Sequence, residues 1–208
     1  MMHRRPLFAA LAAVTFVVQG WAVADELADR TLIASLQKGG YVLYLRHPQT
    51  DPNQADTDPL NLDNVRAQRQ LTPAGEAQAR RLGEVVRALK LPLGRVIASK
   101  YQRARETARL AGFTAEISLD VSEPQNVPPV EGRRRAAVLR SLLSTPPAPG
   151  TNVLIVSHRP NLQDAAGKDF GDLGEGELVV FEPLGAEGFR TIARVSADTW
   201  SGWTAGKR

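Results

Sequence analysis

Hydrophobic residues along this chain come in two kinds of run: short continuous blocks, and longer segments where they recur every three or four positions. Residues 41–45, 95–99 and 152–157 are apolar blocks of strand length, the pattern of strands buried on both faces of a parallel sheet. Residues 177–182 and 189–195 read as two further strands, a hairpin around Gly185-Ala186-Glu187-Gly188. Between the blocks, residues 25–38, 73–90, 102–111 and 131–144 carry a helical period. Thr72 followed by Pro73 is a helix start, with a capping hydroxyl and a proline at the first helical position. Strands alternating with helices predict an α/β fold: a three-layer sandwich with a mainly parallel central sheet and helices on both faces.

Residues 48–64 break this rhythm. Pro48, Pro52 and Pro59 lie among asparagines and aspartates, which predicts a long polar loop, and long loops in compact domains are usually functional. Residues 113–130 read as irregular. The first 24 residues read as an export leader: Arg4-Arg5, an apolar segment from Leu7 to Val18, and the small-x-small site Ala22-Val23-Ala24. The remaining 25–208 read as one soluble domain, periplasmic or secreted, with no later apolar run long enough to span a membrane.

The chain has no cysteine, which excludes disulfides, thiolate catalysis and zinc-cysteine sites. Its net charge of +4 falls to +2 without Arg4 and Arg5. No basic stripe interleaved with aromatics accompanies that charge, so nucleic acid is not an expected partner. The triplet Arg133-Arg134-Arg135 is expected on the solvated face of a helix.

In a parallel sheet, ligands bind outside the carboxyl ends of the strands. The first block ends in Arg46-His47-Pro48 and the third in His158-Arg159-Pro160, while Arg103 follows the second. Arginine forks match phosphate oxygens in pairs. A neutral imidazole can attack phosphorus to form a phosphohistidine that water then clears. Nearby positive charge disfavours imidazolium, which would keep His47 nucleophilic below the ordinary histidine pKa of about 6.5.

Four blocks in order resemble the histidine phosphatase superfamily, which has the phosphoglycerate mutase-like fold. The strand-end Arg46-His47 resembles its Arg-His-Gly motif, with Thr50 and Asn53 at the motif's later polar offsets. QRQLTPAGEAQAR (68–80) is similar to its helix start, and IASKYQRARETA (97–108) to the block that carries a phosphate-binding arginine, here Arg103. VLIVSHRPNL (153–162) resembles the strand that delivers a second histidine. The resemblance implies a phosphomonoesterase that needs no metal or other cofactor, with His47 as nucleophile. Arg46, Arg103 and His158 would complete the phosphate pocket. The leader adds a likeness to small secreted bacterial members, some acting on lipopolysaccharide sugar phosphates, so the implied partner is a small phosphate ester.

Three positions depart from the family pattern: Pro48 for glycine, Lys100 for proline and Ser157 for glycine. The general acid is open among Glu175, in the glycine-rich GEGE segment, Glu123, after the second helix, and Asp51, in that order of preference. An alternative of another class is a non-catalytic phosphate- or polyanion-binding module on the same fold. A metal hydrolase is disfavoured, because no His/Asp ligand spacing surrounds either histidine. Trp200 and Trp203 are expected to pack the C-terminal segment.

Overall fold

The computed structural model describes residues 27–124 and 127–204. The chain divides into two compact units, residues 1–35 and 36–208. The described part of the first unit is residues 27–35, the opening turns of helix α1 (27–38). The expected leader, residues 1–24, lies outside the described residues.

The second unit is built on a six-stranded sheet of order β3-β2-β4-β1-β5-β6. β1 (Val42–Arg46) lies at its centre, parallel to β4 (Asn152–Ser157) and antiparallel to β5 (Leu178–Pro183). β4 pairs in parallel with β2 (Leu93–Ser99), and β2 with the short edge strand β3 (Glu116–Ser118). β6 (Phe189–Val195) runs antiparallel to β5 at the other edge. The sheet is thus the mainly parallel one expected. Its register sets Arg46 against Ser157 and Ala98 against Val156. The carboxyl ends of β1, β2 and β4 are therefore level, and the residues that follow them emerge together.

The strands are buried on both faces, as their unbroken apolar runs require. Val42, Tyr44, Ile155, Val179 and Phe181 join Leu139, Leu143 and Leu162 in one core cluster. Those leucines come from α4 (Pro129–Ser144) and α5 (Arg159–Ala166). The alternate positions Leu43, Leu45, Leu154, Val156 and Val180 are buried as well. α2 (Pro73–Ala88) packs on α3 (Gln102–Leu110), and α3 on β2 and β4. No helix among the described residues is long and apolar enough to cross a membrane.

Three elements escape the sequence pattern. β3 lies within the stretch read as irregular, because Glu116 and Ile117 are exposed and leave no apolar signal. α5 starts directly after its N-cap His158, with Pro160 in the first turn where a missing N–H costs nothing. The C-terminal α6 (Ala197–Gly202) is capped by Ser196, whose Oγ accepts from the Thr199 N–H at 3.1 Å. The arginine triplet on α4 also divides. Arg133 and Arg134 are exposed as expected, but Arg135 is buried. Its Nη1 donates to the Glu123 carbonyl at 3.0 Å and its Nε to Glu131 Oε1 at 2.9 Å.

Candidate active site

His47 directly follows β1 and is enclosed, 1% exposed. Two contacts from one neighbour fix the backbone there: Gly176 N–H lies 3.2 Å from the Arg46 carbonyl and 3.0 Å from the His47 carbonyl. Gly176 has φ +74, and a Cβ on it would meet Gln78 Oε1 at 2.3 Å. The position therefore demands glycine. Its own carbonyl accepts from Trp200 Nε1 at 2.8 Å, so α6 braces the strand end from below. Beyond His47 the chain runs under the start of α2. Thr72 N–H donates to the Gln49 carbonyl at 3.0 Å, and a Cβ on Gly75 would lie 2.1 Å from that same oxygen.

The His47 ring is oriented by Pro48, the residue that departs from the family motif. Nδ1 lies 2.8 Å from the Pro48 carbonyl oxygen. A carbonyl only accepts, so in the neutral ring Nδ1 carries the proton and Nε2 the lone pair. Burial pushes the imidazolium pKa well below its ordinary value, and the neighbouring His158 and Arg103 push it further the same way. The sequence anticipates this direction but not its main cause, which is burial rather than neighbouring arginines.

His158, after β4, is 0% exposed, and its ring meets that of His47 edge-on with centroids 5.3 Å apart. Nε2 is 2.7 Å from Ser99 Oγ. Nδ1 lies 3.0 Å from Glu123 Oε1, but off the line of a hydrogen bond, and has no other partner. Burial lowers the His158 pKa; Glu123 opposes it without cancelling it. Burial pushes the Glu123 carboxyl up, but His158 and Arg103 outweigh it and hold the group well below the usual carboxylate range.

Arg103 is 0% exposed. Its Nη2 donates to Glu123 Oε1 at 2.7 Å, its Nη1 to the Asp56 carboxylate at 3.1 and 3.2 Å, and its guanidinium carbon lies 4.3 Å from the centre of the Tyr101 ring. Arg46 donates from Nη1 to the Leu173 carbonyl at 2.6 Å and places Nη2 3.5 Å from Glu175 Oε1.

These groups surround a cavity of about 320 Å³ lined by Arg46, His47, Gln54, Ala55, Asp56, Arg69, Glu123, Arg159 and Pro160. The long polar loop supplies its wall through Gln54, Ala55 and Asp56, as its composition suggests. Arg69 carries a buried Nε without a partner. The predicted site residues separate around this cavity. Arg46, His47 and Glu123 line it, and Arg103 and His158 stand directly behind Glu123. Thr50 and Asn53 do not line it: Thr50 Oγ1 donates to Glu175 Oε1 at 2.6 Å, and Asn53 N–H is held by Asp51 Oδ1 at 2.9 Å. Glu175 and Asp51 are likewise absent from the lining.

Sequence reasoning misses Asp56 and Arg159, and it leaves Arg69 between a residue supporting the pocket and a helix-end ion-pair partner, with a slight preference for the latter; the structure places Arg69 in the cavity lining. The signal for Arg159 is its place beside the strand-end histidine. Asp56 has no local signal, because its partner Arg103 is 47 residues away.

His47, Glu123 and His158 each offer one ligand atom, all within 4.8 Å of one another. The fold thus brings together three groups whose proximity linear spacing does not reveal. The adjacent Arg46 and Arg103 guanidiniums repel a divalent cation and favour an anion. Burial and then Glu175 act on Arg46 in opposite directions, and Arg159 and Arg69 add positive charge that helps to lower its pKa.

The model of the histidine phosphatase superfamily (branch 1) matches residues 42–124. Over those residues, about two fifths of its length, the chain resembles that superfamily. Among solved structures it is similar to the protein histidine phosphatase SixA complexed with tungstate, at 16% identity and a TM-score of 0.52, covering 76% of this chain and 97% of that one. It is similar to a phosphoserine phosphatase variant from Entamoeba histolytica bound to phosphoserine, at 14% identity and a TM-score of 0.55, covering 76% and 98%. It is also similar to a putative phosphohistidine phosphatase SixA from Nakamurella multipartitia, at 19% identity and a TM-score of 0.51, covering 76% and 95%. At these identities the likeness establishes the shared fold. No protein of curated function matches the chain.

Proposed function

We propose that this protein is an exported phosphomonoesterase that works through a phosphohistidine on His47. The observation that carries the reading is the His47 ring itself: buried, held neutral, and locked by the Pro48 carbonyl with Nε2 as its basic nitrogen, in the wall of an arginine-lined cavity. A phosphoryl group in that cavity would be met by Arg46, Arg69 and Arg159, with Arg103 behind. Nε2 would attack phosphorus in line with the ester oxygen, and water would then release phosphate. The arginines neutralise charge that grows on the phosphoryl oxygens in the transition state.

Of the candidate acids, the reading favours Glu123 over Glu175 and Asp51, since only Glu123 borders the cavity. The polar walls of Gln54, Asp56, Arg69 and Arg159 suit a hydroxyl-rich ester such as a sugar phosphate, and the leader supports a substrate met outside the cytoplasm. Purified protein should hydrolyse p-nitrophenyl phosphate, undiminished by a strong chelator, while His47→Ala should not. Equal background hydrolysis by both proteins would favour the non-catalytic phosphate-binding alternative.

A further inference from the structure

The proposed reaction needs a proton for the departing oxygen, and Glu123 by itself is held ionised. The nitrogen facing it, His158 Nδ1, is buried without an aligned partner. What that nitrogen carries follows from the hydroxyl groups on the other side of the ring. Ser122 Oγ donates to the Ser118 carbonyl at 2.9 Å, which uses its single proton. It also accepts from the Lys100 N–H at 2.9 Å. Ser99 Oγ lies 3.1 Å from Ser122 Oγ, and the proton between them must therefore come from Ser99. Ser99 Oγ accepts from the Tyr101 N–H at 3.2 Å, and its remaining role toward His158 Nε2, 2.7 Å away, is again that of acceptor.

His158 Nε2 is thus a donor, and a neutral ring in that tautomer would set the Nδ1 lone pair 3.0 Å from a buried carboxylate oxygen. Two acceptors in contact without solvent are unfavourable. A proton on Nδ1 turns that repulsion into an attraction between opposite charges.

We propose that Ser99 and Ser122 are positioning residues that fix the Nε2–H form of His158, so that a second proton sits on Nδ1 beside the Glu123 carboxylate and is the one the leaving oxygen receives. The last clause rests on the phosphatase reading; the tautomer does not. As the His47 Nε2–P bond forms, the P–O bond breaks, its electron pair stays on oxygen, and the Nδ1 proton, passed through Glu123, converts that oxygen to the alcohol. When water later attacks phosphorus, the P–N pair returns to His47 Nε2 and the proton of water restores the pair.

The charged and titratable groups around His158 are Glu123, Arg103 and Asp56, with the His47 and Tyr101 rings at 5.3 and 5.1 Å and Tyr44 Oη on its backbone carbonyl at 2.7 Å. Arg159 follows it on α5. Burial lowers the pKa of both His47 and His158.

The test is imidazole 15N–1H correlation on the full chain labelled at histidine, across the acid to neutral range, beside the pH profile of kcat/KM for p-nitrophenyl phosphate. Wild-type His158 should keep Nε2 protonated throughout and lose the Nδ1 proton as pH rises, with kcat/KM falling along the same titration. Ser122→Ala frees the Ser99 hydroxyl to donate to Nε2. Its His158 should switch to the Nδ1–H form, and the basic limb of its profile should move. Ser99→Thr, which retains the hydroxyl, should keep the wild-type tautomer and profile. A wild-type His158 with bare Nε2, or an unchanged tautomer in Ser122→Ala, would overturn the proposal. The expected tautomer in a protein without phosphatase activity would overturn the reaction and leave the serine assignment standing.

Discussion

Replacing Arg103 by methionine keeps most of the side chain's volume but removes the one cation between two carboxylates. Arg103 is wholly buried and contacts Glu123 at 2.7 Å and Asp56 at 3.1 Å. Breaking a buried ion pair from one side typically costs about 3–5 kcal/mol, because the partner charge stays buried without compensation. Asp56 is only partly buried, which places the expected cost toward the lower end, about 3 kcal/mol at pH 8. Without Arg103 a major influence holding Glu123 ionised is gone, so its folded pKa rises. A carboxyl held below its unfolded pKa adds stability that is lost as pH falls through the carboxylate range, and the variant has less of it to lose. Arg103→Met should therefore lie closer to wild type at pH 3.5 than at pH 8. Urea unfolding at both values, extrapolated to water, measures this. A loss under about 0.5 kcal/mol at pH 8, the range of an ordinary surface change, would refute the ion-pair account.

Two further outcomes follow from the same geometry. Gly75→Ala drives a Cβ to 2.1 Å from the Gln49 carbonyl oxygen, which is backbone and cannot swing aside. The strand-end loop must shift, at a cost of about 1–3 kcal/mol, and kcat/KM should fall although no cavity residue has changed. The second outcome concerns pH. Both site histidines have folded pKa values below the ordinary 6.5, so the unfolded chain binds more protons in acid. Stability should decline as pH falls below about 6.5, by up to about 1.4 kcal/mol per pH unit for each histidine. His47→Gln should flatten the slope of chemical-denaturation stability between pH 7 and pH 5; an equal slope would contradict the buried, neutral His47.

The strands and main helices are legible in the sequence because their burial is periodic and local. Tyr41 to Leu45 shows itself as a strand, and Thr72-Pro73 as a helix start, without reference to anything distant. The site is legible only in part, for a physical reason. His47, His158 and Arg103 stand at strand ends or the adjoining helix start, where topology alone brings them together. What tunes them comes through long-range contacts: Asp56 to Arg103, Arg135 to the Glu123 backbone, and Trp200 beneath Gly176. Nothing near these residues in the chain announces such contacts. Arg135 looks like one of three solvated arginines because α4 turns its third member inward, toward a carbonyl supplied by a separate loop. Pro48 stands out as the motif's main departure, yet the atom it contributes to the site is a backbone carbonyl, which any residue supplies.

The central claim is covalent and can be read directly. Wild-type protein mixed with p-nitrophenyl phosphate, quenched in alkali to preserve phosphoramidate and digested, should yield a peptide bearing phosphohistidine at His47. The adduct should be absent from His47→Ala and lost on acid treatment. Turnover without any phosphoryl group on His47, or an adduct that persists in His47→Ala, would contradict the account.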